Sequence, residues 1–360
     1  MLGNSFKRVG NIAIVATICI CLLISWTQIQ SSKLLVQALI RADDVPNEIS
    51  NGARIVDGNV KKIVLFAYDT VLQVAPDNQL KPGGVYYEAM TFNGSIPGPL
   101  ISINQGDTLE ITLVNQADTV HSLDFHAGYG ASQALSGSVE PGQNKTWTMR
   151  ANYPGVFMYH CDGDNLNGIW EHIASGMYGE IVVHAPNEKY AKEFYMVLSE
   201  LYNSADNGLF KGTSGKIGSF SLDKFIANRP DLILTNGMAY KYIPFFGGQT
   251  KLLINKNPEE FKVKPGELTR WYVVNAGPRD YLAFNFAGGL INNNSITSQN
   301  HIGGFESKIY ETTIAPGSGA SIEVVFPEEG TYLGNDHDIG HLLIGGGFVV
   351  LANNNSSIEH

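Results

Sequence analysis

The chain has 360 residues, of which 44% are hydrophobic and 16% charged, and its formal net charge is −10. This length is enough for two domains of ordinary size with substantial cores. Basic residues are not clustered, which argues against a nucleic-acid partner, and the acidic balance only weakly favours basic or neutral redox partners.

The first 42 residues differ in composition from the rest of the chain. Lys7 and Arg8 precede an almost wholly apolar run, Ile12–Trp26, as in a secretory signal. The run is short for a full membrane span, and Val36-Gln37-Ala38 is a poor cleavage site. We expect residues 1–42 to be a signal peptide or, as the alternative, a retained membrane anchor. The protein is then exported, to a periplasmic or other extracytoplasmic compartment.

The body of the chain shows almost no helical periodicity. Short β-branched runs such as Ile111–Val114 and Ile322–Phe326 are separated by stretches rich in Gly, Pro, Asn and Thr. This pattern predicts an all-β protein built from β-sandwiches. We expect a first domain at 55–185, a second at 190–352, and a disordered tail at 353–360.

The segment Tyr159–Met177 supplies three metal-ligand side chains. His172 follows Cys161 by eleven residues, and Met177 follows His172 by five. Together with His121 upstream they offer a thiolate, two imidazoles and a thioether, which is the ligand set of a blue-copper electron-transfer centre. Soft sulfur with two imidazoles favours copper over magnesium, calcium or manganese.

Cysteine usage agrees with a metal-bound thiolate. The chain has three cysteines, and Cys19 and Cys21 lie in the N-terminal apolar segment. Cys161 is therefore the only cysteine of the expected mature domain and has no intramolecular disulfide partner there. A buried, inert thiol is the alternative. Export also suits copper chemistry, because it takes place outside the reducing cytoplasm.

Residue parity predicts a second metal site beside the first. Successive side chains of a strand point to opposite faces, so Cys161 would face the sandwich core and His160 would face outward. His121 and His126 are separated by five residues and would also lie on opposite faces of an extended segment. Asp124 shares the parity of His126. We expect an inner site and an outer site joined by one peptide bond, although a single histidine is more often an ordinary surface or core residue.

The two halves of the chain resemble each other, as in a duplicated domain. Ile103–Asn115 parallels Val263–Asn275, and Gly155–Cys161 parallels Gly330–Asp338. The alignment pairs His121 with Tyr281, His126 with Phe286, His160 with His337, Cys161 with Asp338, His172 with His341, and Met177 with Gly346. The second half therefore looks like a copper domain whose own blue-copper site has decayed.

The outer site needs a further protein ligand. A catalytic metal site typically has three protein ligands and an open position, and the first half offers only His126 and His160. His337 occupies the outward position of the second half. It is the natural third ligand, supplied either within one chain or between the chains of a ring.

Four segments resemble the copper-containing nitrite reductases and together are highly specific: Met90–Ile101, His121–His126, Tyr153–Cys161 and His172–Met177. The resemblance covers most of the chain after residue 60. It implies an all-β fold of two cupredoxin-like Greek-key β-sandwich domains and a homotrimer. It also implies reduction of nitrite to nitric oxide with electrons from a small redox protein, either a cupredoxin or a cytochrome.

The resemblance also implies the roles of the site residues, with about two copper ions per subunit. Type 1 copper, which accepts electrons, would be held by His121, Cys161, His172 and Met177. Type 2 copper, where nitrite binds, would be held by His126, His160 and His337 of the partner subunit. Asp124 matches the catalytic aspartate of the family.

The chain departs from the family pattern near the expected type 2 site. Leu290 stands where the family has a second active-site histidine. His301 is a candidate replacement, with an ordinary loop histidine as the alternative. The loop between Cys161 and His172 is slightly longer than usual and carries three acidic residues, Asp162, Asp164 and Glu171.

Two other functions remain as alternatives. One is a two-domain multicopper oxidase acting on O₂, or on a small nitrogen compound such as hydroxylamine. It would need His-X-His pairs in both halves, where the second half has Tyr281 and Phe286. The other is a type 1 copper electron carrier without catalysis. Copper content separates them, since the reductase holds about two ions per subunit, the oxidase about four and the carrier about one.

Overall fold

The computed structural model describes residues 59–129, 137–164, 166–246, 252–292 and 308–354. All of them fall in one compact unit, Asn47–His360. The expected signal or anchor, His301, and residues 355–360 of the expected tail lie outside the described residues. Within the described ranges, no helix combines the length and apolar character needed to span a membrane.

The first half of the described chain consists of strands, turns and one short helix. Its elements are β1 (Val60–Ala75), β2 (Val85–Phe92), β3 (Ile101–Asn104), β4 (Thr108–Asn115), β5 (Asp124–Phe125), β6 (Asn144–Arg150), β7 (Gly155–His160), β8 (Gly163–Asp164), β9 (Asn167–Gly168), α1 (Ile169–Ala174) and β10 (Tyr178–His184). One sheet has the order β2-β1-β4-β6 and the other the order β3-β10-β7-β5. The two sheets form a sandwich.

The second half is built in the same way. Its elements are β11 (Lys192–Leu201), β12 (Ile217–Gly218), α2 (Leu222–Ile226), β13 (Leu232–Thr235), β14 (Phe245–Phe246), β15 (Leu252–Leu253), β16 (Phe261–Val263), β17 (Leu268–Gly277), β18 (Leu282–Ala287), β19 (Ile291–Asn292), β20 (Lys308–Ile309), β21 (Glu311–Ile314), β22 (Ser318–Val325), β23 (Gly330–Asp336), α3 (Ile339–Leu343) and β24 (Gly347–Ala352). Its main sheets have the orders β13-β11-β17-β22-β19-β20 and β16-β24-β23-β18-β21.

The strand arrangement shows the predicted duplication. The order β2-β1-β4-β6 recurs as β13-β11-β17-β22, and β3-β10-β7-β5 recurs as β16-β24-β23-β18. The parallel pairs also recur, since β1 with β4 and β3 with β10 correspond to β11 with β17 and β16 with β24. One strand crosses between the halves, because β12 of the second half extends the first sandwich by pairing with β2.

Alternation of apolar and polar residues produces the two sandwich cores. In β4, Leu109, Ile111 and Leu113 are buried, and the residues between them are partly exposed. The same pattern buries Ile322 and Val324 in β22. Burial of one face is what drives such strands to pair and stack. The all-β prediction from these two runs is confirmed.

A third apolar cluster joins the sandwiches to each other. It includes Met158 and Val182 from β7 and β10, and Val197 and Val274 from β11 and β17. A Cβ atom on Gly319 of β22 would lie only 2.5 Å from the carbonyl oxygen of Val156. Glycine is therefore needed for β22 to approach β7 this closely. As a result, β7 lies between the first core and the second sandwich.

Glu180 is a buried carboxyl group on the face of β10 that forms this interface. It lies between Tyr178 and Val182, which belong to the joining cluster, and pairs across the sheet with Met158. Its Oε1 atom has no hydrogen-bond partner among the described residues. Burial raises the pKa of Glu180 well above its usual value. Folding therefore favours the neutral, protonated form of Glu180.

Glu180→Gln should remove a pH-dependent loss of stability. The unfolded chain ionises Glu180 above about pH 4.3, whereas the folded chain keeps the proton. Folding above that pH therefore takes up a proton. The contribution of Glu180 to the free energy of unfolding is complete below about pH 4.3 and declines as the pH rises toward the folded-state pKa. The decline is about 1.4 kcal/mol per pH unit. Urea unfolding of both proteins between about pH 5 and pH 8 measures it. Identical pH slopes for wild type and Glu180→Gln would contradict this assignment.

Candidate metal centres

The inner site lies at the point where β7 leaves the first core. Cys161 follows the last residue of β7, His172 lies on α1, and His121 forms a bridge with Val139. The Nδ1 atom of His172 is 3.2 Å from Cys161 Sγ and 3.2 Å from His121 Nδ1, and His121 Nδ1 is 3.7 Å from the same sulfur. All three side chains are buried. The structure therefore brings three of the four predicted inner ligands to one point.

Met177, the fourth predicted inner ligand, is held next to this group by the backbone. The Cys161 N–H donates to the Met177 carbonyl (3.1 Å), and the Met177 N–H donates to the His172 carbonyl (3.1 Å). Met177 is fully buried in the first core. The short stretch from α1 to β10 therefore returns the chain to Cys161.

Backbone donors that the sequence does not reveal stabilise the sulfur. The N–H groups of Ser122 and Gly163 point at Cys161 Sγ, at 3.1 and 3.3 Å. Burial alone would raise the pKa of Cys161, but hydrogen bonds from His121 and His172 outweigh it and lower the pKa to about 6. The site therefore favours the thiolate, which is the form that binds a metal.

Asp69 is a further residue that the sequence analysis missed. Its Oδ1 atom lies 3.5 Å from His121 Nε2, and Thr119 Oγ1 lies 3.1 Å from the same nitrogen. Burial would lower the pKa of His121, but the hydrogen bonds with Asp69 and Cys161 raise it to about 9. Asp69 and Thr119 act on Nε2, so Nδ1 of His121 faces the sulfur. Because Asp69 lies on β1, far from the motif in sequence, no local pattern pointed to it.

The outer site lies on the opposite face of the same strand. His126 Nε2 and His160 Nε2 are 2.9 Å apart, and Asp124 Oδ2 is 3.7 Å from His160 Nε2. His160 is buried, Asp124 is partly exposed and His126 is exposed. Among the described residues, these three form one of three groups whose ligand atoms lie within 4.8 Å of one another. The structure places the four histidines in two groups, His121 with His172 and His126 with His160.

The second sandwich orients the outer site. His126 Nδ1–H donates to the Gly317 carbonyl at 2.7 Å, which leaves Nε2 for a metal. His160 Nδ1 lies 3.3 Å from the Cys161 carbonyl, which likewise leaves its Nε2 facing His126. Burial and the neighbouring His126 lower the pKa of His160 to about 4. His160 is therefore neutral at physiological pH, as a metal ligand must be.

His337 does not join this group within the described chain. It follows the last residue of β23 and is exposed. Its Nδ1 lies 2.7 Å from Glu311 Oε2, and its ring lies 5.5 Å from that of Tyr310. The carboxylate orients the ring and leaves Nε2 available. Of the two arrangements expected for the third ligand, the one within a single chain is not found, so the one between chains is the arrangement to test.

The strand register corrects the alignment of the two halves. In β7 and β10, Gly155 pairs with Val183 and His160 with Tyr178. In β23 and β24, Gly330 pairs with Ala352 and Asn335 with Gly347. The spacing is the same in both sandwiches, so Asn335 matches His160 and Asp336 matches Cys161. The pairing of His337 with His160, and of Asp338 with Cys161, was wrong because it inserted two residues that β23 does not contain.

The same correction applies to the strands facing these. His121 bridges Val139, and the equivalent pair in the second sandwich is Leu282 with Ile314. Leu282 therefore matches His121, where the sequence had suggested Tyr281. By the same count Ala287 matches His126 in place of Phe286. The matches of His172 with His341 and of Met177 with Gly346 agree with the register.

The third donor group is structural. Among the described residues, its ligand atoms lie within 4.8 Å of one another and belong to His184, Glu188 and Glu193. The guanidinium of Arg270 already lies 3.5 Å from Glu188 and 3.4 Å from Glu193. Its positive charge occupies the place that a cation would take. Elsewhere, Leu290, which stands where the family resemblance implies a histidine, is exposed.

The fold and the donor groups together define a class of protein. A family profile described as multicopper oxidase matches residues 73–188. A copper nitrite reductase structure from Nitrosomonas europaea superposes with a TM-score of 0.67 at 29% identity, over 83% of this chain and 96% of that one. A copper-containing nitrite reductase from Thermus scotoductus SA-01 gives a TM-score of 0.64 at 26% identity, over 82% of this chain and 62% of that one. The chain is an all-β protein of two cupredoxin-like Greek-key sandwiches, as predicted.

Sequence relatives give the same result in more detail. A copper-containing nitrite reductase from Neisseria meningitidis serogroup A is 32% identical over 262 residues, which span 71% of this chain and 61% of the relative. One from Alcaligenes faecalis is 37% identical over 145 residues, or 36% of this chain and 37% of the relative. The chain thus spans less than two thirds of the length of these relatives. The predicted resemblance to the copper-containing nitrite reductases is confirmed.

The metal-free protein should contain an unusually acidic thiol. We expect the ultraviolet absorption of the Cys161 thiolate to appear with a midpoint near pH 6, below the value of about 8.5 for an ordinary thiol. The physical reason is the pair of imidazoles, His121 and His172, whose hydrogen bonds to the sulfur favour the thiolate. Cys161→Ser is the control, because it leaves Cys19 and Cys21 unchanged. A midpoint near the ordinary value would show that the His121 and His172 contacts do not form.

Proposed function

We propose that this protein reduces nitrite to nitric oxide with about two copper ions per subunit. The observation that carries the proposal is the pair of donor groups on opposite faces of β7, joined by the His160–Cys161 peptide bond. The balanced reaction consumes one electron and two protons per nitrite and yields nitric oxide and water. The nitrite reductase names of the sequence relatives and structural neighbours support this choice of substrate.

The inner group is suited to receive an electron. His121, Cys161, His172 and Met177 offer the sulfur and imidazole donors of a type 1 copper centre. They are packed in the first core, so their geometry changes little between oxidation states. His172 lies on α1 near the protein surface, and a small redox protein, either a cupredoxin or a cytochrome, is the proposed donor there.

The outer group is suited to bind the substrate. His126 and His160 present their Nε2 atoms 2.9 Å apart, and a third imidazole would complete a type 2 site with an open position. Bound copper would supply Lewis acidity toward an oxygen of nitrite. Asp124 lies beside His160 on the partly exposed side of the group, where it can donate or relay a proton to the leaving oxygen. The shared peptide bond gives a short covalent path for the electron between the two groups.

The third imidazole would come from a second copy of the chain. His337 is exposed, and its ring is already oriented by Glu311, which suits a ligand presented to a partner subunit. A ring of three chains, each with domains at 55–185 and 190–352, gives every outer site one His337. We further propose that the protein is exported, with residues 1–42 acting as signal or anchor.

His337→Ala should lower bound copper by about one ion per subunit and leave the visible thiolate-to-copper absorption intact, since only the outer site loses a ligand. Elemental analysis and the visible spectrum measure the two effects. Cys161→Ser is the complementary variant, which should remove the colour and keep the outer copper. About one ion per subunit in the wild type would instead indicate an electron carrier, and about four a multicopper oxidase. A fully active monomer in dilute solution would rule out the site between chains.

Asp124→Asn should lower nitrite turnover by about 10² to 10⁴-fold, because the amide keeps the shape of the side chain but has no proton to transfer. Both copper ions and the reduction of the inner site by an external donor should be unaffected. His301→Ala tests the candidate replacement for the missing histidine, and it should produce a comparable loss and a shifted pH profile if His301 shares proton delivery. If neither variant changes the rate, nitrite is not the substrate for which this site is built.

A further inference from the structure

The second sandwich keeps the hydrogen bonds of the inner site but not its metal ligands. The Ala283 N–H donates to Asp336 Oδ1 at 3.0 Å, just as the Ser122 N–H points at Cys161 Sγ at 3.1 Å. His341 Nδ1 lies 2.6 Å from Asp336 Oδ2, in the way that His172 Nδ1 lies near the sulfur. The register places Asp336 where Cys161 stands in the first sandwich. A carboxylate has therefore replaced the thiolate, and the equivalents of the Ser122 N–H and the His172 imidazole remain as its hydrogen-bond partners.

The remaining positions of this second site carry no donor atoms. Leu282 stands where the first sandwich has His121, and Gly346 stands where it has Met177. Only Asp336 and His341 are left, and at 2.6 Å they are joined by a hydrogen bond. Two further carboxylates face the other side of the ring, with Asp280 Oδ2 at 3.9 Å and Asp338 Oδ2 at 3.8 Å from His341 Nε2. The site therefore holds a proton between a buried carboxylate and an imidazole, where the first sandwich offers a metal position.

The Asp336–His341 pair lies beside the backbone of His337. Asp336 is the residue before His337, and His341 is on α3, whose N-terminal cap is Asp338. The His337 N–H donates to the Ala283 carbonyl at 2.9 Å, next to the Ala283 N–H that binds Asp336. The Asp336–His341 bond thus ties the end of β23 to α3 across the short corner that presents the His337 ring.

We propose that Asp336 and His341 are positioning residues for His337. In this proposal the decayed copper site of the second sandwich holds the third ligand of the outer site in position. This rests on the proposed function, in which His337 completes that site. Glu311 fixes the ring of His337 from one side, and the Asp336–His341 pair fixes its backbone from the other. Asp336 Oδ1 accepts from the N–H groups of both Ala283 (3.0 Å) and Asp338 (3.4 Å), and His341 holds the other oxygen of the same carboxylate. Without His341 the carboxylate loses its imidazole partner, and the corner that carries His337 can shift.

The test measures Cu²⁺ binding at the outer site of the full-length protein, with the inner site as internal reference. His341→Ala should weaken outer-site Cu²⁺ affinity by roughly 10- to 100-fold, the usual effect of removing a residue that orients a metal ligand. It should also change the electron paramagnetic resonance signal of the outer copper. The visible absorption of the inner site should stay the same. Asp336→Asn keeps the Oδ1 acceptor for Ala283, so it should show a smaller loss of the same kind.

Val350→Ala is the matched control, because it removes a buried side chain from β24 of the same core without touching the pair. It should lower the unfolding temperature and leave the outer copper signal unchanged. If His341→Ala behaves like Val350→Ala, the pair is only structural and the proposal is wrong. If His341→Ala does not fold, Asp336→Asn decides in the same way. If His337→Ala itself leaves outer-site copper intact, the proposed third ligand fails, and the positioning role fails with it.

Discussion

Side-chain alternation along β7 is the constraint on which both candidate sites depend. Tyr159 and Cys161 belong to the first core, whereas Met158 and His160 face the second sandwich. A strand with one solvated face would leave His160 in water, with nothing to orient it. Because the second sandwich packs on β7, the outward face is also covered, and His160 becomes a buried neutral imidazole. The close approach of β22 to β7 at Gly319 therefore helps to form the outer site as well as the fold.

The sequence was informative wherever the chemistry lies in neighbouring residues. The ligand order of the inner site and the parity of the two histidine pairs follow from spacing alone, and the structure reproduces both groupings. Asp69, Gly317 and the N–H of Ser122 could not be found in this way. They reach the sites from distant strands, or through backbone atoms that carry no residue-specific signal.

The error in aligning the two halves has a physical origin as well. Matching His337 to His160 favoured residue identity over strand register, and register is set by continuous backbone pairing. β23 pairs with β24 over the same length as β7 pairs with β10. A residue type can change position during divergence, but a two-residue insertion in β23 would shift its pairing with β24 by two residues, and the observed pairs show no such shift. Register is therefore the safer guide to equivalence between duplicated sandwiches.

Both sandwiches bury an acidic atom, and they compensate its negative charge in different ways. Each directs backbone N–H groups at a buried acidic atom, Cys161 Sγ in the first and a carboxylate oxygen of Asp336 in the second. A buried anion needs a compensating positive charge as well as hydrogen bonds. In the metal-free first sandwich the compensation comes from His121, whose pKa is raised to about 9, so loading a metal must displace that proton. In the second sandwich, burial would lower the pKa of His341, but Asp336 and the nearby carboxylates raise it. Because Leu282 and Gly346 offer no donor atoms at the positions of His121 and Met177, the proton stays, and the same backbone frame serves as a support in place of a redox site.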